Sequence, residues 1–413
     1  MNSAKFITLD NGLTILIYSD KSKSTNHVEL ITFFGGNNTS FRDKNDLVKK
    51  VHKGTAHLLE HYICEQTDYG NLISNLKNLN VLSANACTNS DATIFYFDTV
   101  RNFSACLRLF LTSIFSVSFD KDKLEKTKVA VFNEIRDDKD NISREILDVK
   151  VKNIFDMNVN VLGNKTSIKK IGHRYLKDIY ENIYVPKNQL LVVAGNFDEE
   201  IILKMICVIY EKLTFKNNKR IDSIVEKRDI VKKEDVLRID SLDEVIMSFK
   251  IDTRGMNNFN KYKFDWYLGM FGSINFSKLS KFNDIVRKDK ACTGDVYCGT
   301  YLKNGYNVLE IMVYTKEREK IKDMILNIVS DFRNNKRDDF DLRKKESLMR
   351  VSVRKDSIKS YVSPIIDNYI LFGYPHDDTL EFIESLNYDE YIETISQIDF
   401  SNYSVLYIEN NRK

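Results

Sequence analysis

The chain has 413 residues, 43% hydrophobic and 29% charged, and its 62 Lys and Arg against 59 Asp and Glu leave a formal net charge of +3. That length predicts two domains of about 200 residues. The composition excludes disorder, and the near-neutral balance gives no electrostatic case for nucleic acid or an anionic membrane as partner. No apolar run approaches the ~20 residues of a membrane helix, so no stable membrane insertion is expected. No secretory leader is visible at MNSAKFITLDNGLTILIYSD, and the six cysteines form no CxxC; reduced thiols in a cytoplasmic protein are the expectation.

FITLDNGLTILIYS reads as a hairpin turning at Asp10-Asn11-Gly12. HVELITFFGG is a further strand, and HLLEHYICE, entered through Lys53-Gly54, is helical, as is DYGNLISNLKNLN. VLSANACTNSDATIFYFDTV reads as two strands around the polar turn SANACTNSDA. NFSACLRLFLTSIFSVSF is a buried helix, and the amphipathic helical pattern continues to Asp148. The strand QLLVVAGNF and the helix DEEIILKMICVIYEKL close the half. Residues 214–234 are the most charged and least periodic, which places a linker there between domains 1–213 and 235–413. The second half repeats the outline: strands in VLRIDSLDEVIMSFKID, a helix, strands in RKDKACTGDVYCGTYLKNGYNVLEIMVYT, helices, and a closing strand NYSVLYIEN. Strands followed by helices in each half predict an α+β protein. Its two similar domains would each be a mostly antiparallel sheet with helices packed on one face.

The chemistry concentrates at HLLEH. On a helix, residues four apart share a face about 6 Å apart along the axis, so His57 and His61 can turn both imidazoles toward one ion. Glu60, three residues from His57, stays close enough to that face to meet a water there. Two imidazoles plus a third protein ligand suit zinc with one position left for water, and a neighbouring carboxylate is placed to act as base. Histidines four apart also decorate ordinary helices; the acid in register makes this instance more specific. Glu134, in KVAVFNEIRDD beside the apolar Val129, Val131 and Phe132, is a candidate third ligand, since a carboxylate on a buried helix face needs a partner. Glu125, Asp137 and Asp138 are nearby alternatives that spacing alone does not exclude.

HLLEH followed by VFNEI resembles the inverted-motif zinc peptidases of the pitrilysin and mitochondrial-processing-peptidase (insulinase) family. The likeness extends to LDNGLTILI, GTAHLLEH, SANACTNSDATIFYF, YVPKNQLLVVAGNFDEE and, more weakly, INFSKLSKFNDIVRKDKACTGDVY. The resemblance implies a zinc metalloendopeptidase with His57, His61 and Glu134 as ligands and Glu60 as general base, all in the first domain. Asn85 and Ala86 would lie on an edge strand that pairs with an extended peptide, and Arg287 would reach toward substrate from the second domain. It also implies half-size subunits that pair, as a homodimer or with a paralogous subunit, around a chamber admitting short or unfolded peptides, for instance a precursor or leader peptide. Two positions depart from the pattern. Thr127 stands where the family often has a second glutamate, and Gly294 where a tyrosine is expected, so that Tyr297 serves only if the strand register shifts. These departures keep a second reading open, a peptide-binding or regulatory subunit with little activity of its own. The second half holds one histidine, His376, so it cannot repeat the motif.

Overall fold

The computed structural model describes residues 3–43, 45, 47–157, 160–215, 232–331, 335–374 and 377–411. Residues 216–231, most of the expected linker, lie outside them, as does His376. The chain divides into two compact units. The first takes Met1–Asn141, Val159–Glu226 and Ser357–Ser363; the second takes Ile142–Asn158, Lys227–Asp356 and Pro364–Lys413.

The strands of the first unit are β1 (Lys5–Thr8), β2 (Thr14–Ser19), β3 (Asn26–Thr32), the small hairpin β4 (Ser40–Arg42) and β5 (Val48–Lys50), β6 (Ser83–Thr88), β7 (Thr93–Thr99) and β8 (Gln189–Gly195). Six of them form one sheet in the order β1-β2-β8-β3-β7-β6, antiparallel throughout except for the parallel pair β2/β8. The expected first turn is there. Gly12 takes φ +89°, a left-handed conformation open to glycine, and the Asn11 side chain accepts the N–H of Leu13.

The helices of this unit are α1 (Thr55–Glu65), α2 (Leu72–Asn78), α3 (Phe103–Ile114), α4 (Lys121–Asp137), α6 (Lys165–Lys169), α7 (His173–Ile183) and α8 (Glu199–Glu211); α5 (Ile142–Phe155) belongs to the second unit. Ile15, Ile17, Val28, Leu30, Phe95, Phe97, Leu191 and Val193 share a core with Leu58, Leu59 and Tyr62 of α1 and with Phe110 and Leu111 of α3. Each such side chain taken from water contributes about 1.5–3 kcal/mol. Period-two burial along β7 against complete burial of β3 separates a strand near the sheet margin from the central one.

β3 also buries a polar group. His27 Nδ1 lies 2.6 Å from Asp98 Oδ1, and its Nε2 lies 2.8 Å from Glu29 Oε1. Burial works against the charged imidazole, but hydrogen bonds to the two carboxylates outweigh it and raise the His27 pKa; the same contact holds Asp98 low against its own burial.

The second unit has β9 (Glu234–Ile239), β10 (Glu244–Asp252), β11 (Cys292–Lys303), β12 (Tyr306–Thr315) and β13 (Tyr403–Asn410) in the order β11-β12-β10-β13-β9, with β13/β9 as its parallel pair. Helices α9 (Asn258–Phe276) and α10 (Lys281–Lys288) precede β11, and others follow β12. Although it comes early in the sequence, α5 packs in this unit: Lys150 Nζ donates to Glu310 at 2.8 Å, and Asn153 Nδ2 to Asp235 at 3.1 Å. The α+β class with two similar mostly antiparallel sheets is thus what the chain adopts. None of the cysteines is in a disulfide, and no helix among the described residues is long and apolar enough to cross a membrane.

Candidate metal centre

Gly54 starts α1. It takes φ +82°, and a Cβ there would stand 2.5 Å from the Leu162 carbonyl oxygen, so both conformation and space require glycine. The helix then buries Thr55 to Glu60 and turns His57 and His61 toward α4. Tyr62, next to His61 and fully buried, fixes α1 to the start of α4: its hydroxyl donates to the Ser118 carbonyl at 2.9 Å and accepts the N–H of Asp120 at 2.9 Å. Asp120 caps α4 by accepting the N–H groups of Asp122 and Lys123.

From that anchored start α4 delivers Glu134 to the histidines. Its Oε2 lies 3.2 Å from His57 Nε2 and its Oε1 3.2 Å from His61 Nε2. The three donor atoms all fall within 4.8 Å of one another. The hydrogen bond from His57 and the charges of both imidazoles outweigh burial and hold the Glu134 carboxyl below the ordinary carboxylate range. Glu125 and Asp137 are occupied elsewhere, by Lys128 and Arg136. Of the apolar residues flanking Glu134, Val131 is buried and Phe132 half-buried, whereas Val129 faces solvent; the apolar face expected around Glu134 is therefore narrower than the sequence suggests.

The donors fit a zinc ion. Tetrahedral bonds of about 2.1 Å set ligands roughly 3.4 Å apart, close to the two 3.2 Å contacts. Ligation through Nε2 leaves the imidazole proton on Nδ1, which in His57 is buried with no hydrogen-bond partner among the described residues.

Glu60, also buried, has its Oε2 bonded by the Thr88 hydroxyl at 2.7 Å. Thr88 ends β6, the strand at the margin of the sheet, so β6 has one edge that pairs with no strand among the described residues. β6 runs through SANACT, so the polar turn is shorter than the expected SANACTNSDA and comprises residues 89–92. The Asn89 N–H bonds the Ala92 carbonyl at 2.9 Å. Bonded and unbonded pairs alternate in an antiparallel ladder, so Ala84, Ala86 and Thr88 aim their main-chain groups off the open edge. The Ala86 N–H is met there by the Asn85 side-chain oxygen at 2.9 Å.

Thr127 lies two turns before Glu134 on α4. Its hydroxyl donates to Glu65 Oε2 at 2.7 Å, so the residue in place of the second glutamate holds a carboxylate supplied by α1. Arg287 and Tyr297 belong to the second unit. Arg287 is exposed, its Nε 3.8 Å from Asp295. Tyr297 is exposed on β11 with its ring against Tyr314. The β11/β12 register shifts between Thr293 and Tyr297, and Gly294 sits in that irregularity at φ +79°, where a tyrosine would be strained. Tyr62, Glu65 and Thr88 were not singled out from the sequence. A threonine closing a strand or a glutamate ending a helix has no distinguishing pattern, and only the fold brings these residues to the site.

Known proteins resemble this chain over most of its length. Residues 49–161 match the family model described as insulinase (peptidase family M16), and residues 170–347 match that of the peptidase M16 inactive domain. The chain is 25% identical over 238 residues to the "uncharacterized zinc protease YmfH" of Bacillus subtilis, a match covering 56% of this chain and 55% of that protein, so the chain spans about half of the curated relative. An M16-like peptidase from Alicyclobacillus acidocaldarius has the same fold over 99% of both chains, at 17% identity and a TM-score of 0.88. A protease from Helicobacter pylori follows at 15% identity over 99% of this chain and 100% of that one, with a TM-score of 0.82. Pitrilysin matches at 17% identity over 99% of this chain and 45% of its own, with a TM-score of 0.76. The chain belongs to the insulinase family of peptidases, peptidase family M16.

Proposed function

We propose that the protein is a zinc-dependent endopeptidase that cleaves short or unfolded peptides, such as a precursor or leader peptide. The observation that carries this reading is the convergence of His57, His61 and Glu134 beside Glu60, next to the open edge of β6. His57, His61 and Glu134 would hold the zinc. Bound there, the ion would acidify a water and polarise the scissile carbonyl. Glu60 accepts a proton from the attacking water and returns it to the departing amine, which a buried carboxylate with a fixed hydrogen-bond partner is suited to do. The edge of β6 at Asn85 and Ala86 takes the peptide as an added strand, so main-chain bonds supply affinity with little side-chain preference. Arg287 and Tyr297 contact substrate from the second unit, and the subunit pairs with a second copy or a paralogous subunit to enclose a peptide-sized chamber.

One feature favours a second reading, a peptide-binding or regulatory subunit: Thr127 stands where the resemblance to the family implies a second glutamate. Bound zinc and hydrolysis of an unstructured peptide library, measured for the wild type and Glu60→Gln, separate the two. The peptidase reading expects zinc retained and cleavage reduced about 10²–10⁴-fold in the variant. Equal cleavage by both removes Glu60 as base. No cleavage by the zinc-loaded wild type, alone or with a paralogous subunit, leaves the binding-subunit reading.

A further inference from the structure

We propose that Thr88 is a positioning residue that sets the Glu60 carboxylate in register with a peptide paired on β6. The inference rests on the peptidase reading above. Thr88 Oγ1 lies 2.7 Å from Glu60 Oε2 and 3.3 Å from Thr93 Oγ1. A threonine hydroxyl has one proton to give. The proton of Thr93, which is fully buried, is committed to the Phe34 carbonyl at 2.9 Å, so Thr93 has none for Thr88. The Thr88 proton therefore goes to the nearer acceptor, Glu60 Oε2 at 2.7 Å.

Thr88 thus orients Glu60, and its contact with Thr93 carries no proton of its own. Ala84 and Ala86, the other β6 residues packed against the core, have no polar atom to share that task. The main chain of Thr88 meanwhile points off the edge where a peptide would pair. One residue therefore belongs both to the strand that would receive substrate and to the hydrogen bond that aims the base. A carboxylate loose by even 1 Å loses much of its catalytic value.

The test uses Thr88→Val, which keeps the β-branched shape and removes the donor, and Thr88→Ser, which restores it. Expected for Thr88→Val are unchanged zinc content, a kcat lowered about tenfold or more, and a KM within about twofold of wild type. Thr88→Ser should recover kcat to within about threefold. In a Glu60→Gln background, adding Thr88→Val should leave peptide affinity unchanged by fluorescence anisotropy. If Thr88→Val does not fold, Thr88→Ala takes its place with the same expected values. Wild-type kcat without the hydroxyl overturns the proposal, as does a serine variant as impaired as the valine one, or a loss that appears in KM alone. Failure of the peptidase reading looks different, because there the zinc-loaded wild type itself does not cleave, whichever residue stands at 88.

Discussion

Beyond the additional β1 at the first sheet's margin, the two units lay their strands in the same order, β2-β8-β3-β7-β6 in the first and β9-β13-β10-β12-β11 in the second, with the closing strand inserted between β2 and β3 and between β9 and β10. Between corresponding strands the first unit places α1 and the second α9. The two helices are built differently. α9 starts at Asn257, whose side chain accepts the N–H of Asn260, and buries Tyr262, Tyr267, Leu268 and Phe271. α1 starts at a left-handed glycine and buries His57 and Glu60 among its apolar residues. The scaffold is thus complete with aromatic packing at this position. Buried imidazole and carboxylate groups cost stability there unless something pairs with them, so the donors of α1 are a local addition that the fold itself does not require.

The sharpest way to break this contrast is to disarm the addition. Glu134→Gln should weaken zinc binding more than about 100-fold, while Asp137→Asn on the same helix changes it less than about threefold, by competition with a chromophoric chelator. The reverse order would remove Glu134 from the ligand set. A smaller effect separates the glycines of the two units. Gly54→Ala meets both a left-handed φ and a backbone oxygen at 2.5 Å; Gly294→Ala meets only the φ of +79°, in open space. Thermal melting should therefore show a loss of about 2–3 kcal/mol for the first and about 1 kcal/mol for the second. Equal losses would mean the approach of Leu162 relaxes without cost.

The smallest expected effect concerns His27, which has no counterpart in the second unit's β10. Its folded pKa is raised, so its stabilising contribution is fully present below the unfolded value of about 6.5 and fades as pH rises through the folded value. Asp98, held low, contributes above its unfolded value of about 3.9 and loses that contribution as pH falls through its folded value. The melting difference between wild type and His27→Gln should be largest between those limits, roughly 3–6 °C, and shrink toward alkaline pH. A difference that grows with pH would refute the charged pair.

Much of this was legible in the sequence because it rests on local rules. The Asn11-Gly12 turn, the strand patterns and the i, i+4 histidines with their acid follow from backbone chemistry and periodicity. The choice of Glu134 over Glu125 or Asp137 was not legible, because it depends on how α4 is fixed against α1 by Tyr62. Nor was the assignment of α5, whose amphipathic pattern does not say which sheet it will cover. Val129 misled in the same way: an apolar residue beside a candidate ligand signals burial only when its helix face is turned inward. Gly294 is explained by a bulge that no residue pattern announced.

The side chain of Asn85 occupying the Ala86 N–H has a consequence for what the open edge accepts. An unguarded strand edge invites indiscriminate pairing and aggregation between chains. Here a newcomer must displace one hydrogen bond of about 1 kcal/mol to form another, so contact at Ala86 alone brings almost nothing. Gain begins only when an extended segment also reaches Ala84 and Thr88. If the edge receives a peptide as proposed, it would sort partners by how much unfolded chain they can lay down, and stay shut to passing contacts.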